Sequence, residues 1–351
     1  MKVSKRKLEH VEIALGKDVR FRNKTSGFEE YDFIHCAAPE MLFEDVDTRM
    51  EFLGKSLSFP FMITAITGGY PGARTINRAL AEVCRDEHVA LGVGSQRQIM
   101  ENGDHLDTFR IARETAPQSV IVGNIGAAQL VHHRDRETFQ RMADLIGADA
   151  IAVHLNPLQE LLQPEGNRDF RGVLKGIGWL VKSLKIPVIA KEIGCGISEK
   201  TARLLLDEGV SYIDVAGAGG TSWAGIESFR NTEARHAAAF WDWGIPTAVC
   251  LEMVSRIPQA RIIASGGIEN GITIAKALAM GARLAGAAFP LLRAHADEDP
   301  LKLARLVVDW RQQLKMVLFL TGCRNVDEMR SRRPLRRIFH PSGRSEPSVE
   351  H

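Results

Sequence analysis

Eight short apolar runs recur between residues 61 and 290, each closed by glycine or polar residues and followed by sequence of helical character. They read FMITAIT (61–67), ALGVGSQ (90–96), SVIVGNI (119–125), AIAVHLN (150–156), PVIAKEI (187–193), YIDVAGA (212–218), RIIASGG (261–267) and LAGAAFP (284–290). Unbroken apolar runs describe strands buried on both faces, as in parallel sheets covered by helices. Eight such units in one α/β chain predict a closed (β/α)8 TIM barrel. Polar side chains gather at the C-terminal ends of the runs, the face on which these barrels carry their chemistry.

Such a barrel uses about 250 residues, so a chain of 351 has extensions at both ends. We read residues 1–58 as a charged N-terminal segment, 59–325 as the barrel with closing helices, and 326–351 as a basic, disordered tail. A net charge of +2 gives no general case for nucleic acid. Five cysteines lack zinc spacing and read as reduced thiols, the N-terminus has no apolar signal core, and no run is long enough for a membrane span. The expectation is a cytoplasmic protein without membrane insertion.

In the N-terminal segment, Ser4 is placed to cap a helix with Arg6, Lys7 and His10 on one face and Leu8, Val11 and Leu15 on another. The basic face is either solvated or a clamp for a polyanion. The sixth connection, from Gly219 to Pro246, is far longer than the usual loop of about 2 to 6 residues and is rich in tryptophan. It reads as a lid or as a surface for a neighbouring subunit. Glycine-rich stretches after strands six, seven and eight (216–222, 264–271 and 285–288) let backbone amides approach an anion and suggest a phosphorylated ligand.

Lys191 shares side-chain parity with Ile189 and Ile193 at the end of strand five. It is a Schiff-base amine, a cation beside a cofactor, or half of a structural ion pair. Asn124 and Ser95 end strands three and two and offer neutral hydrogen-bonding groups. The densest polar run is HLNPLQE (154–160): His154 and Asn156 share a face, Pro157 ends the strand, and Gln159 and Glu160 fall on a loop over the mouth. Glu160 either begins a helix as a dipole-matching acid or holds a Mg2+ whose other ligands are water and phosphate oxygens. With Arg97 at the same rim, the basic residues exceed what one phosphate needs, and a diphosphate is the natural candidate.

These motifs resemble the type II, flavin-dependent isopentenyl diphosphate isomerases. The resemblance runs from residue 5 to 325 through RKLEH, ITAITGG, GSQR, VGNIG, HLNPLQE, PEGNRDF, KEIGCGIS, DVAGAGGTSW, SGGI and AGAA, in that order. It implies interconversion of isopentenyl and dimethylallyl diphosphates with FMN and Mg2+, the flavin being reduced by NAD(P)H, in a homo-oligomer (tetramer or octamer). Carried over by motif, Ala65, Ile66, Thr67, Ser95, Asn124, Lys191, Thr221, Gly266, Gly267, Ala287 and Ala288 would hold FMN. Arg6, Lys7, His10, Ser95, Arg97, His154, Asn156 and Gln159 would face the substrate, Glu160 would hold the metal, and Gln159, His154 and Lys191 form the expected catalytic set. Cys195 within KEIGCGIS, Trp223 after the Thr-Ser pair, and the arginine-bearing tail depart from the pattern.

Three rivals remain at this stage. An FMN-dependent α-hydroxy acid oxidase would use a His-Gly-Gly-Arg run, which this chain lacks. A barrel like inosine monophosphate dehydrogenase would need a nucleophilic thiol after strand six, whereas Cys195 follows strand five. A non-catalytic flavin-binding barrel is the third, since fold alone never establishes catalysis.

Overall fold

The computed structural model describes residues 2–101, 103–231 and 236–338. The eight apolar runs form parallel strands β1 (Phe61–Ile63), β2 (Ala90–Gly92), β3 (Ile121–Gly126), β4 (Ala150–His154), β5 (Val188–Lys191), β6 (Tyr212–Asp214), β7 (Ile262–Ser265) and β8 (Leu284–Ala287), and β8 pairs with β1 to close the barrel. Alternate residues serve two cores, which explains why the runs show no polar alternation. Inward-facing Met62, Ala90, Val122, Ala152, Ile189, Tyr212, Ile263 and Leu284 pack on one another. Their neighbours Ile63, Leu91, Ile121, Ile151, Ala190 and Ile213 face the surrounding helices.

The barrel is plugged at its N-terminal end by a hairpin, Met50–Phe52 paired with Lys55–Leu57. Phe52 and Leu57 join the inward core, and Phe52 meets Tyr212 edge-on at 5.2 Å. Lys55 anchors the hairpin to Asp149, just before β4, at 2.7 Å. Segment 1–58 therefore serves both ends of the barrel, since its first helix, Lys2–Gly16, lies over the opposite mouth.

Several local expectations hold. After β5 the segment SEKTARLLLDEGV, apolar at helical spacing and ending at a glycine, forms the helix Glu199–Asp207 with Ser198 as its cap, and the closing region after strand eight contains one long helix, Lys302–Leu320, burying Leu303, Val307, Trp310, Leu314, Val317 and Leu318. Other expectations need correction. Ser4 lies inside the first helix and is not its cap; its hydroxyl donates to the Gly69 carbonyl at 2.9 Å. Pro157 starts the helix Pro157–Leu162, so Gln159 and Glu160 sit in a helical turn and not a loop. The tail read as disordered from 326 is regular up to Ile338. Helix Val326–Arg332 buries Val326 and Met329, and Leu335–Arg337 pairs antiparallel with Tyr31–Phe33. Residues 339–351 lie outside the described residues. Among the described residues, no helix is long and apolar enough to cross a membrane.

Candidate active site

One residue pair above the apolar layer, the inward positions of the barrel turn polar: Asn124 follows Val122, His154 follows Ala152, Lys191 follows Ile189, Asp214 follows Tyr212, and Ser265 follows Ile263. Strand register sets His154, Lys191 and Asp214 side by side. His154 and Lys191 floor a cavity of about 270 Å³ at the C-terminal mouth, and Asp214 lines a smaller void beside Lys191. Every site residue expected from the sequence lines this cavity: Arg6, Lys7, His10, Ala65, Ile66, Thr67, Ser95, Arg97, Asn124, His154, Asn156, Gln159, Glu160, Lys191, Thr221, Gly266, Gly267, Ala287 and Ala288. Cys195 does not line it, and burial pushes its thiol up, away from the thiolate a nucleophile needs.

The floor is orientated by hydrogen bonds. Asn124 donates its amide to the Val93 carbonyl at 3.2 Å, which turns its oxygen to His154 Nδ1 at 2.9 Å. His154 must then carry its proton on Nδ1, leaving Nε2 as the acceptor. Burial, and after it Lys191, Lys7 and Arg6, drive the imidazole down to about 3, so it is neutral at physiological pH. Lys191 is 9% exposed, its Nζ donating to the Glu192 carbonyl at 2.6 Å. The Glu192 carboxylate accepts from the amides of Ile193, Gly194 and Cys195.

The helix Lys2–Gly16 covers this floor with its charged side. Arg6, Lys7, His10, Val11 and Ala14 line the cavity, whereas Leu8 and Leu15 are 40% and 38% exposed. A helix that buries cations and exposes two leucines docks only in part by apolar burial, through Val11 against Tyr70, Ala73 and Leu292, and polar contacts supply the rest. Lys7 Nζ donates to the Ser95 carbonyl at 2.6 Å and to Gln98 Oε1 at 3.1 Å. Burial, and then Arg97, push the Arg6 guanidinium down from its usual value, although Glu165 lies 3.7 Å away. Arginine does not release its proton in proteins, so an anion entering the cavity would find Arg6 charged.

A latch ties the helix to two connections. Arg230, at the end of the helix Trp223–Arg230 in the long sixth connection, reaches Glu9 and Glu227 at 3.0 Å each and also Glu165. Glu227, with no side-chain exposure, also accepts from His10 Nε2 at 2.9 Å. Burial alone would raise the Glu227 carboxyl, but His10 and Arg230 together hold it below the usual range. Trp223, read from sequence only as a departure, meets His10 edge-on at 5.2 Å and lines the cavity.

The residues present fit the cofactor that the motifs imply. At the corner between the connections after β6 and β7, Gly266 has φ 96° and a Cβ there would lie 2.1 Å from the Gly217 carbonyl oxygen. Only glycine fits there, and Gly217, Gly220, Gly266 and Gly267 present bare backbone to the cavity, the kind of surface that a phosphate can approach. Asn156 Oδ1 is buried without a partner, an acceptor left for a ligand donor. For a metal the fit is narrower: among the described residues no three His, Cys, Asp or Glu side chains are placed to hold a metal ion by themselves. Glu160 is 5% exposed, and its carboxylate binds Asn156 Nδ2 at 3.1 Å and the Asn167 amide. One carboxylate beside the amide oxygens of Asn156 and Gln159 suits Mg2+ only if water and substrate complete the shell.

Sequence reasoning missed Glu227, Arg230, Glu165, Gln163, Asp214 and Glu192. A buried helical Glu–Arg pair three residues apart was visible in WAGIESFR, but nothing local says that it meets residue 9. Replacing Arg230 by alanine leaves three carboxylates without their shared cation. A loss of about 3 kcal/mol in docking the helix corresponds to roughly hundredfold faster amide exchange over residues 2–16, with the barrel strands unchanged. Undiminished protection of that helix would show that the latch does not hold it.

Comparison with known proteins fits this site. The family described as FMN-dependent dehydrogenases matches residues 158–335. Isopentenyl-diphosphate delta-isomerases of Methanococcoides burtonii and Methanothermobacter thermautotrophicus are each 43% identical, over 94% and 93% of this chain and 92% of theirs. Solved structures of mandelate oxidase (TM-score 0.63, 18% identity, 93% of this chain and 94% of that one) and flavocytochrome b2 (0.69, 16%, 93% and 82%) share the fold. Identity sustained along more than nine-tenths of each relative's chain is a family relationship, and the chain belongs to the isopentenyl-diphosphate delta-isomerases.

Proposed function

We infer that this chain interconverts isopentenyl and dimethylallyl diphosphates in isoprenoid biosynthesis, with reduced FMN, with Mg2+ held through Glu160, and with NAD(P)H as the reductant. The observation that carries the reading is the helix Lys2–Gly16, which turns Arg6, Lys7 and His10 into the cavity and leaves leucines in solvent. With Arg97 these residues make an anion-seeking roof, while Val11, Trp223 and Ile226 give an apolar wall for a short alkenyl chain.

Moving a double bond along an unactivated alkene requires a proton delivered to one carbon and taken from another. Among the cavity residues, His154 is neutral and weakly basic, so it serves best as a fixed acceptor that orients its neighbours. Gln159, its oxygen bound by Asn156 Nδ2 at 2.8 Å, has its amide NH2 left to donate. Bound and reduced, FMN would supply a proton donor and acceptor at its ring nitrogens. Lys191 places a buried cation where an electron-rich ring is favoured. The helix excludes water, which strengthens each of these interactions. Exposed Phe229, Phe240 and Trp243 on the sixth connection offer an apolar surface for the homo-oligomer, tetramer or octamer, that we expect. Five free cysteines are in keeping with a cytoplasmic enzyme.

An isomerase of this kind does not consume reductant. One equivalent of NAD(P)H supplied anaerobically to the FMN-loaded protein should support many turnovers; one NAD(P)H spent per product would instead establish an oxidoreductase. Glu160→Gln preserves shape and removes the charge. It should lower turnover at limiting Mg2+ by roughly tenfold or more, the weight of a charge-assisted contact of about 1.5 to 3 kcal/mol, with partial recovery at raised Mg2+. An unchanged metal requirement would take Glu160 out of the metal site.

A further inference from the structure

Beside the main cavity a second void of about 10 Å³ is lined by Lys191, Asp214, Asn124 and Thr64 among apolar neighbours. A void of about this size holds one water when at least two polar groups face it. One such group is plainly unsatisfied. Asp214 is 1% exposed; its Oδ1 accepts from Ser265 Oγ at 2.7 Å and from the Ala216 amide at 3.3 Å, while Oδ2 is buried without a partner. An orphaned carboxylate oxygen in a barrel interior is costly enough that a missing donor is the ordinary explanation.

Lys191 stands directly across from Asp214 in the β5–β6 register. No direct ion pair joins them, because Nζ is turned to the Glu192 carbonyl. The Glu192 carboxylate is the lesser counter-charge, since it is turned to the amides of residues 193 to 195. We propose that the void holds one water that accepts from Lys191 Nζ and donates to Asp214 Oδ2, and that Asp214 is thereby the counter-charge keeping Lys191 protonated. The proposal deepens the flavin reading above, on which it rests, and makes Asp214 a positioning residue that acts through Lys191. In keeping with it, burial pulls the Lys191 ammonium down and Asp214 leads the groups that pull it back up, ahead of Glu192; burial likewise raises the Asp214 carboxyl, and Lys191 leads the groups that bring it back down. The remaining ionisable neighbour on the floor, His154, is neutral.

The test is the midpoint potential of bound FMN, measured without substrate in the unaltered protein, Asp214→Asn, Lys191→Met and the double variant. Loss of the Lys191 proton disfavours the electron-rich reduced ring, so Asp214→Asn should move the potential to more negative values, in the same direction as Lys191→Met. The double variant should then match Lys191→Met alone, because residues acting through one group are not additive. A potential that stays put or rises in Asp214→Asn, or additive shifts in the double variant, would overturn the proposal. If Asp214→Asn fails to fold or to bind FMN, electron density in the unaltered holoenzyme decides. A water within hydrogen-bonding distance of both Asp214 Oδ2 and Lys191 Nζ supports the bridge, and an empty void or a water touching only one overturns it. Since no substrate is present, these results stand apart from whether the protein isomerises anything.

Discussion

Taking a cation out of water costs several kcal/mol unless other groups answer it, and this protein gathers such cations around one cavity. Arg6 and Lys7 are carried there on a helix and Lys191 on a strand, and each is answered differently. Arg6 has Glu165 near it but also Arg97, Lys7 donates to a carbonyl and an amide oxygen, and Lys191 donates to the Glu192 carbonyl with Asp214 across from it. The surplus of positive charge defines the ligand better than any single residue. A roof that seeks a doubly anionic group and a floor that favours an electron-rich ring are complementary to a diphosphate lying on a reduced flavin.

The barrel makes this arrangement tolerable by separating two layers along each strand. Apolar inward residues, closed from below by Phe52 and Leu57, fix the strands, and the next inward position on five strands is free to be polar. Stability is thus supplied below and chemistry above. The helix Lys2–Gly16 belongs to the upper layer, and beside the small apolar contact of Val11 its attachment through Arg230, Glu227 and Lys7 is polar. Such an attachment can respond to a bound anion in a way that a buried apolar face cannot.

Much of this was legible in the sequence, for a definite reason. Strands buried on both faces write themselves as unbroken apolar runs, and Lys191 or His154 at the end of such a run has its direction set by parity with Ile189 or Ala152. What escaped was whatever depends on non-local meeting. Arg230 meets Glu9 across 221 residues, and Glu227 meets His10 across 217; neither contact leaves a local trace. Ser4 fits the cap pattern but lies within a helix that starts earlier, its hydroxyl taken by Gly69. The arginine-rich stretch after 326 looked unable to fold because its few apolar residues, Val326 and Met329, are a helical turn apart and find a core elsewhere.

The measurement that bears most directly on the account is made in deuterated water, on the FMN-loaded protein reduced anaerobically. Isopentenyl diphosphate and dimethylallyl diphosphate are supplied separately and followed by NMR. If the cavity delivers a proton to one carbon and removes one from another, both samples should converge on the same isomer ratio and both isomers should acquire deuterium. Failure of either substrate to convert, or conversion without any solvent deuterium, would contradict it.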